Sequence, residues 1–201
     1  MAFFKQDPYN SIESWAKSRG QQIRDHFSIA LDTMRPQGTT KVASMSDVEW
    51  NTAKVQTLNP KFRSQFLEFL TLVDETAGAR GVDLIVWDGT RSLERQVELY
   101  GRGRTDKGMI VTKTIASNHL WGCAIDLCTR SPKGQPEFAL PPWYKKEILP
   151  LAEKFHLESL LLVHGIDPPH IQVPPAAQPP EIRTIAAELK ADFQVAWAKF
   201  D

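Results

Sequence analysis

The chain has 201 residues, of which 42% are hydrophobic and 24% are charged, a composition typical of soluble globular proteins. Its 24 basic and 24 acidic residues balance to a formal net charge of zero. The total charge therefore shows no footprint of a protein that binds nucleic acid or an anionic membrane. No apolar run approaches the ~20 residues of a membrane span, and the N-terminus lacks the regions of a secretory signal. We therefore expect synthesis in the cytoplasm without a signal peptide, and no membrane insertion.

The first predicted element is a helix over residues 10–34, because apolar residues recur there at helical spacing. They are Ile12, Trp15, Ile23, Phe27, Leu31 and Met34. Pro36 and Gly38 end this segment and predict a linker. Residues 1–45 are interpreted as an N-terminal helical extension and linker.

The pattern of helix and strand signals over residues 46–173 predicts a separate core domain. Asn59 and Pro60 are typical of a helix start, and the apolar stripe that follows ends at Gly78. Ser92 is placed to cap a second helix, and a third over residues 143–155 is interrupted at Pro150. Short apolar runs predict strands at residues 82–87, 124–127, 160–163 and 171–173.

Residues 174–201 begin with paired prolines that predict a stiff spacer, and an amphipathic helix follows. Its apolar residues are Ile182, Ile185, Leu189, Phe193 and Trp197. The whole pattern predicts an α+β fold, with a small antiparallel sheet, packed helices and an extra helix at each terminus. Cys123 and Cys128 are interpreted as small core residues with free thiols, because two cysteines are too few for a disulfide framework.

Residues 117–126 hold a histidine in a predicted loop and an aspartate in a predicted strand, His119 and Asp126. Burying an aspartate in a strand is costly unless a partner neutralises it, and a metal ion is one such partner. For these residues alone, the alternative is a polar loop and an aspartate paired with an arginine.

Asp167 and His170 are joined by two prolines, which fix the backbone between an acid and an imidazole. Catalytic zinc takes three protein ligands at ~2.0–2.2 Å from nitrogen and oxygen and keeps a position for water. His119, Asp126 and His170 would supply such a set, with Asp167 within reach of the water. A turn aspartate and a turn histidine are the alternative.

Three stretches resemble the motifs of the D-alanyl-D-alanine carboxypeptidase superfamily of zinc peptidases. They are Ser117-x-His119-x-x-Gly122-x-Ala124-x-Asp126, the run from Asp88 to Tyr100, and Asp167-x-x-His170. The motifs stand in the family's order within residues 50–173. The closest likeness is to the L-alanyl-D-glutamate endopeptidase branch, which is found in phage endolysins and some bacterial wall hydrolases.

The resemblance implies the small α+β fold of that superfamily, and it also implies a cofactor and site residues. The cofactor is Zn²⁺, with His119, Asp126 and His170 as its ligands. Asp167 would be the general base and later the acid that protonates the leaving amine. Arg91 would stabilise the oxyanion or anchor a substrate carboxylate. Ser117 and Gln96 would help to position the substrate.

Three functions are compatible with this sequence. The first is a zinc endopeptidase that cuts the L-alanyl-D-glutamate bond of peptidoglycan stem peptides, as an endolysin or a tail-associated lysin. The second is a D,D-carboxypeptidase or dipeptidase that acts on D-Ala-D-Ala. The third is a structural or wall-binding module of a phage tail or injection device, assembled through the terminal helices. The complete ligand set favours an enzyme at the bacterial cell wall or periplasm, because a structural module would be free to lose it.

Overall fold

Residues 8–31, 46–131 and 135–197 are described by a computed structural model, and their strands form one antiparallel sheet. The strand order is β1-β2-β5-β4, and β3 pairs with β2 beside this path. The strands are β1 (Leu84–Asp88), β2 (Ala124–Arg130), β3 (Pro136–Glu137), β4 (Glu158–Ser159) and β5 (His170–Gln172). β2 pairs with both β1 and β5, so it brings their side chains together.

Eight α-helices among the described residues pack around this sheet. They are α1 (Pro8–Phe27), α2 (Asp47–Gln56), α3 (Arg63–Gly78), α4 (Leu93–Gly101), α5 (Tyr144–Glu147), α6 (Leu149–Lys154), α7 (Leu160–His164) and α8 (Pro180–Trp197). Several begin at side chains that satisfy the free N–H groups of a first turn. Ser46 and Glu49 form a capping box at α2, and Ser92 caps α4. Asn59 caps the short 3₁₀ turn that leads into α3.

One hydrophobic core joins the sheet to the helices, and both terminal helices contribute to it. Ile23 and Phe27 of α1 are buried there, as are Leu189 and Phe193 of α8. The predicted α+β class, with its small antiparallel sheet and a helix near each terminus, is confirmed. The division into segments 1–45, 46–173 and 174–201 stays a prediction.

Local structure differs from the sequence-based expectation in five places. Residues 160–163 were expected to form a strand but lie in helix α7, which ends at Gly165 in the left-handed conformation. A short apolar run fits a strand or a buried helix equally well, so periodicity could not choose between them. Helix α1 ends at Phe27, earlier than expected. Residues 32–34 of the predicted helix and the predicted linker after them lie outside the described residues. Helix α2 and strands β3 and β4 were not expected.

Both cysteines and Trp121 lie in the interior of the protein. Cys123 and Cys128 are buried free thiols, and burial raises the pKa of each to about 12. Trp121 is buried against Phe27 in the core. Within the described residues, no helix combines the length and the apolar character needed to cross a membrane.

Candidate metal centre

The register of three strands places three polar residues side by side on one face of the sheet. Asp126 in β2 stands opposite His170 in β5 and opposite Asp88 in β1. Directly opposed residues of antiparallel strands point to the same face. The β1–β2 register shifts between Val86 and Asp88, and this irregularity sets Asp88 against Asp126.

His119 reaches the same face from a 3₁₀ turn, Asn118–Trp121, that precedes β2. Ser117 caps this turn, and Gly122 ends it in the left-handed conformation, with φ of 63°. A Cβ atom at Gly122 would lie 2.4 Å from the backbone nitrogen of Asn59. The turn can therefore approach the segment before α3 only because this residue is glycine.

Among the described residues, His119, Asp126 and His170 form a group whose ligand atoms lie within 4.8 Å of one another. Oδ1 of Asp126 is 3.2 Å from Nε2 of His119 and 3.0 Å from Nδ1 of His170. The two imidazole nitrogens are 3.2 Å apart. Both histidines are buried.

The hydrogen bonds on the far side of each imidazole indicate which nitrogen carries the proton. Nδ1 of His119 lies 2.7 Å from the carbonyl oxygen of Gly89, and Nε2 of His170 lies 2.9 Å from Oε1 of Gln172. Oxygens of this kind only accept, so these nitrogens donate. The opposite nitrogens then present lone pairs to each other and to the Asp126 carboxylate. Three acceptors that meet in a buried place fit a cation, and two nitrogens with one oxygen are a donor set that suits zinc.

Burial and the neighbouring charged groups shift the pKa values of these side chains in opposite directions. Burial disfavours ionisation of Asp126, but when the two imidazoles carry protons on the facing nitrogens, the charge and hydrogen bond of His119 and the hydrogen bond of His170 hold its pKa well below the usual range. Burial lowers the pKa of His170, but Asp126 and Asp167 outweigh it, and the net shift is upward. A proton and a cation would therefore compete for the space between these side chains.

Arg91 lies beside the triad and is held by its neighbours. Its Nε and one terminal nitrogen bind Oδ2 of Asp88 at 2.9 and 2.6 Å, and the same terminal nitrogen is 3.4 Å from Asp126. The alternative of an aspartate paired with an arginine is thus also present. Gln96 is fully buried, accepts from Arg91 at 2.8 Å and donates to the carbonyl of Thr114 at 2.7 Å. This position favours a role in orienting Arg91 over direct contact with a substrate.

Asp167 lines the same cleft from the loop between α7 and β5. The residue is exposed by surface area, yet partial desolvation and the charge of Asp126 raise the pKa of its carboxyl above the usual range. No hydrogen bond from a described residue reaches this carboxylate. Its backbone is left-handed, with φ of 52°, a conformation that aspartate tolerates better than most residues. Ser117, which also lines the cleft, accepts a hydrogen bond from the backbone of His119.

The cleft in front of the triad has a volume of about 500 Å³ and contains residues that the sequence patterns did not indicate. Arg95 and Arg102 of the α4 region line it together with Arg91. Both pair with Glu98. The spacing of these arginines along the chain was the only sequence signal for a place in the cleft. A run of charged residues on a helix more often marks a face exposed to solvent, so this spacing does not predict a site.

Part of the sequence is similar to that of a known protein. The chain is 42% identical over 60 residues to the peptidoglycan L-alanyl-D-glutamate endopeptidase CwlK of Bacillus subtilis (strain 168). This match agrees with the resemblance of the sequence motifs to L-alanyl-D-glutamate endopeptidases. The matched segment covers 29% of this chain and 36% of CwlK. No family model matches the chain.

Two of the solved structures that are similar to this chain are of peptidases. One is the L-Ala D-Glu endopeptidase ChiX of Serratia marcescens, with a TM-score of 0.46 and 19% identity over 68% of this chain and 95% of that one. The other is the vancomycin resistance D,D-dipeptidase VanXYg, with a TM-score of 0.41 and 22% identity over 69% of this chain and 59% of that one.

Proposed function

We propose that this protein is a zinc-dependent peptidase that hydrolyses peptidoglycan stem peptides at the L-alanyl-D-glutamate bond. The observation that carries the proposal is the convergence of three metal-ligand atoms, from His119, Asp126 and His170, at the base of a cleft. The sequence similarity to CwlK, an L-alanyl-D-glutamate endopeptidase, supports the choice of substrate.

The ligand atoms would be Nε2 of His119, Oδ1 of Asp126 and Nδ1 of His170. When bound, zinc would polarise the peptide carbonyl and lower the pKa of a water molecule towards ~7. Asp167 would take a proton from the attacking water and later deliver it to the leaving amine. Its raised pKa makes the carboxylate a stronger base towards the water and helps the protonated form to persist until it donates to the amine. Arg91 would face the developing negative charge on the carbonyl oxygen.

The charges of the cleft fit an acidic peptide. Arg91, Arg95 and Arg102 all line it, and arginine binds carboxylates through two parallel hydrogen bonds. Asp88 and Glu98 offset part of this positive charge. A stem peptide that contains D-glutamate presents free carboxylates to such a wall.

The proposal is tested by digesting purified peptidoglycan with the zinc-loaded protein, with and without a chelator, and by mass spectrometry of the fragments. We expect new L-alanine carboxyl ends and D-glutamate amino ends, lost with the chelator and restored by zinc. Release of D-alanine instead would assign the D,D-peptidase activity. No cleavage of several wall types by zinc-loaded protein would contradict the enzymatic proposal.

A further inference from the structure

A chain of buried and partly buried hydrogen bonds runs away from the metal centre across two strands. Nε2 of His170 meets Oε1 of Gln172 at 2.9 Å, and Nε2 of Gln172 donates to Oε1 of Glu158 at 2.6 Å. Glu158 in β4 and Gln172 in β5 are directly opposed in the sheet. The pairing of the two strands therefore holds this contact in place.

The partners of Gln172 determine which way its side-chain amide points. An ionised carboxylate only accepts hydrogen bonds, so Glu158 requires the NH₂ group of Gln172 on its side. The amide oxygen must then face the other way, where it accepts from Nδ2 of Asn118 at 2.5 Å. Asn118 offers its own donor group to that oxygen, so the two neighbours agree on one orientation of the amide.

This orientation has a consequence for His170. A fixed oxygen acceptor on the far side of the ring stabilises the proton on Nε2 and leaves Nδ1 with its lone pair. Nδ1 is the atom that faces Asp126 and His119. If the amide were reversed, its NH₂ group would face Nε2, and the proton would be favoured on Nδ1, where it would block a metal.

We propose that Glu158 and Gln172 act as positioning residues for the metal centre, because together they fix the ring orientation and tautomer of His170. This inference rests on the proposed zinc site. Outer hydrogen bonds of this type commonly decide the tautomer of a metal-binding histidine. The simpler reading is that the network only satisfies buried polar groups, since Gln172 is 5% exposed and an unpaired buried amide is costly.

The two readings differ in what Gln172→Met would change. Methionine has a similar volume but accepts hydrogen bonds only weakly. We expect zinc affinity, measured by competition with a chelator, to fall roughly 10–100-fold. In zinc-loaded protein, the Nε2–H signal of His170 in long-range ¹H–¹⁵N spectra should lose its protection from exchange. Gln178→Met is the matched control, because Gln178 is also buried but donates to the carbonyl of Val173, and neither residue lines the cleft.

A second variant tests the proposal even if Gln172→Met folds poorly. Exchanging the pair, with Gln172→Glu and Glu158→Gln together, keeps an oxygen acceptor towards His170 and a donor–acceptor contact between the strands. We expect this double variant to bind zinc within about threefold of the wild type. The affinity of Gln172→Glu alone should fall, because two carboxylates would then face each other.

Each outcome decides a different question. If the wild type binds zinc but Gln172→Met and Gln178→Met bind it equally well, the positioning role is wrong and the proposed function stands. Failure of the exchanged pair to restore affinity would also overturn the positioning role. If the wild type itself binds no zinc, both the inference and the proposed function fail.

Discussion

At the scale of single residues, the environment separates the histidines of this chain into two groups. His119 and His170 are buried, and each has an oxygen acceptor on one ring nitrogen and Asp126 on the other. His26, His156 and His164 are exposed. Burial therefore sets the two candidate ligands apart from the other three histidines.

Replacement of Asp167 separates proton transfer from metal binding. Asparagine also tolerates the left-handed backbone at this position, so Asp167→Asn should keep the loop and the zinc content. We expect turnover of peptidoglycan fragments to fall by roughly 10²–10⁴-fold, the usual contribution of a general base. Kinetics and metal analysis of the same preparation provide the check.

The control for this substitution is His164→Ala, at an exposed residue of helix α7. This variant should leave both the turnover and the zinc content unchanged. Normal turnover by Asp167→Asn would remove Asp167 from the mechanism. Loss of zinc from that variant would instead move Asp167 into the ligand set.

At the scale of secondary-structure elements, close approaches between segments decide where the site residues lie. The 3₁₀ turn that carries His119 contacts the segment before α3, where Asn59 donates its backbone N–H to the carbonyl of Gly122 at 3.0 Å. Arg91 similarly donates its backbone N–H to the carbonyl of His119 at 3.1 Å. These contacts bind the loop to its neighbours on both sides.

Gly122→Ala should destabilise this arrangement, because the new methyl group would collide with the Asn59 backbone and the residue has positive φ. We expect the free energy of unfolding in urea to fall by about 3 kcal/mol. Gly78→Ala is the matched control at the end of α3, where a Cβ meets nothing within 4 Å. That change should be neutral or stabilising by up to ~1 kcal/mol. Equal stability of both variants would contradict the tight-approach argument.

The packing of α2, α3 and the start of β1 brings several carboxylates together. Desolvation, followed by the charge of Asp47, raises the pKa of Asp74 to about 6, although a hydrogen bond from Asn51 opposes the shift. In an unfolded chain an aspartate titrates near ~3.9. The folded state therefore binds this proton more tightly, and its stabilising effect is complete below about pH 4 and lost as the pH rises through about 6.

Asp74→Asn should remove this dependence on pH. At pH 7 the variant should be more stable than the wild type by about 1 kcal/mol, a value reduced for solvent screening of a half-buried group. Below about pH 4 the difference should vanish. Urea denaturation at several pH values measures both effects, and a variant that is less stable than the wild type at pH 7 would refute the prediction.

At the scale of the whole molecule, the terminal helices belong to the same core as the sheet. Phe193 of α8 is buried, and its ring lies 5.9 Å from that of Trp15 in α1 and 5.1 Å from that of Tyr100 in α4. Arg19 of α1 also pairs with Asp192 of α8 at 2.6 Å. These contacts favour an intramolecular role, while assembly into a phage tail or injection device stays a prediction.

Phe193→Ala should therefore lower the free energy of unfolding by about 3 kcal/mol, through lost burial and the cavity that remains. Val195→Ala, at a residue that is 67% exposed on the same helix, should stay within about 0.5 kcal/mol. Chemical denaturation with size-exclusion chromatography distinguishes the two roles. An unchanged stability with an altered oligomeric state would indicate that α8 serves assembly instead.

The sequence by itself determined the features that depend on neighbouring residues. Ser92 and Asn59 marked helix starts because their side chains bind N–H groups two or three residues further on. The fold class also followed from periodicity. The spacing of His119, Asp126 and His170, together with the family resemblance, selected the candidate ligands, and their roles await measurement.

Only the tertiary structure decided the features that depend on contacts between distant segments. Residues 160–163 lie in a helix, although their apolar composition is equally compatible with a strand. The surrounding fold, and not the run itself, determines which of the two forms. Glu158, Gln172 and Asn118 carried no sequence signal, since strand pairing brings them to His170. The protonated nitrogen of each histidine likewise depends on an acceptor from another element, because a hydrogen bond through space cannot be inferred from spacing along the chain.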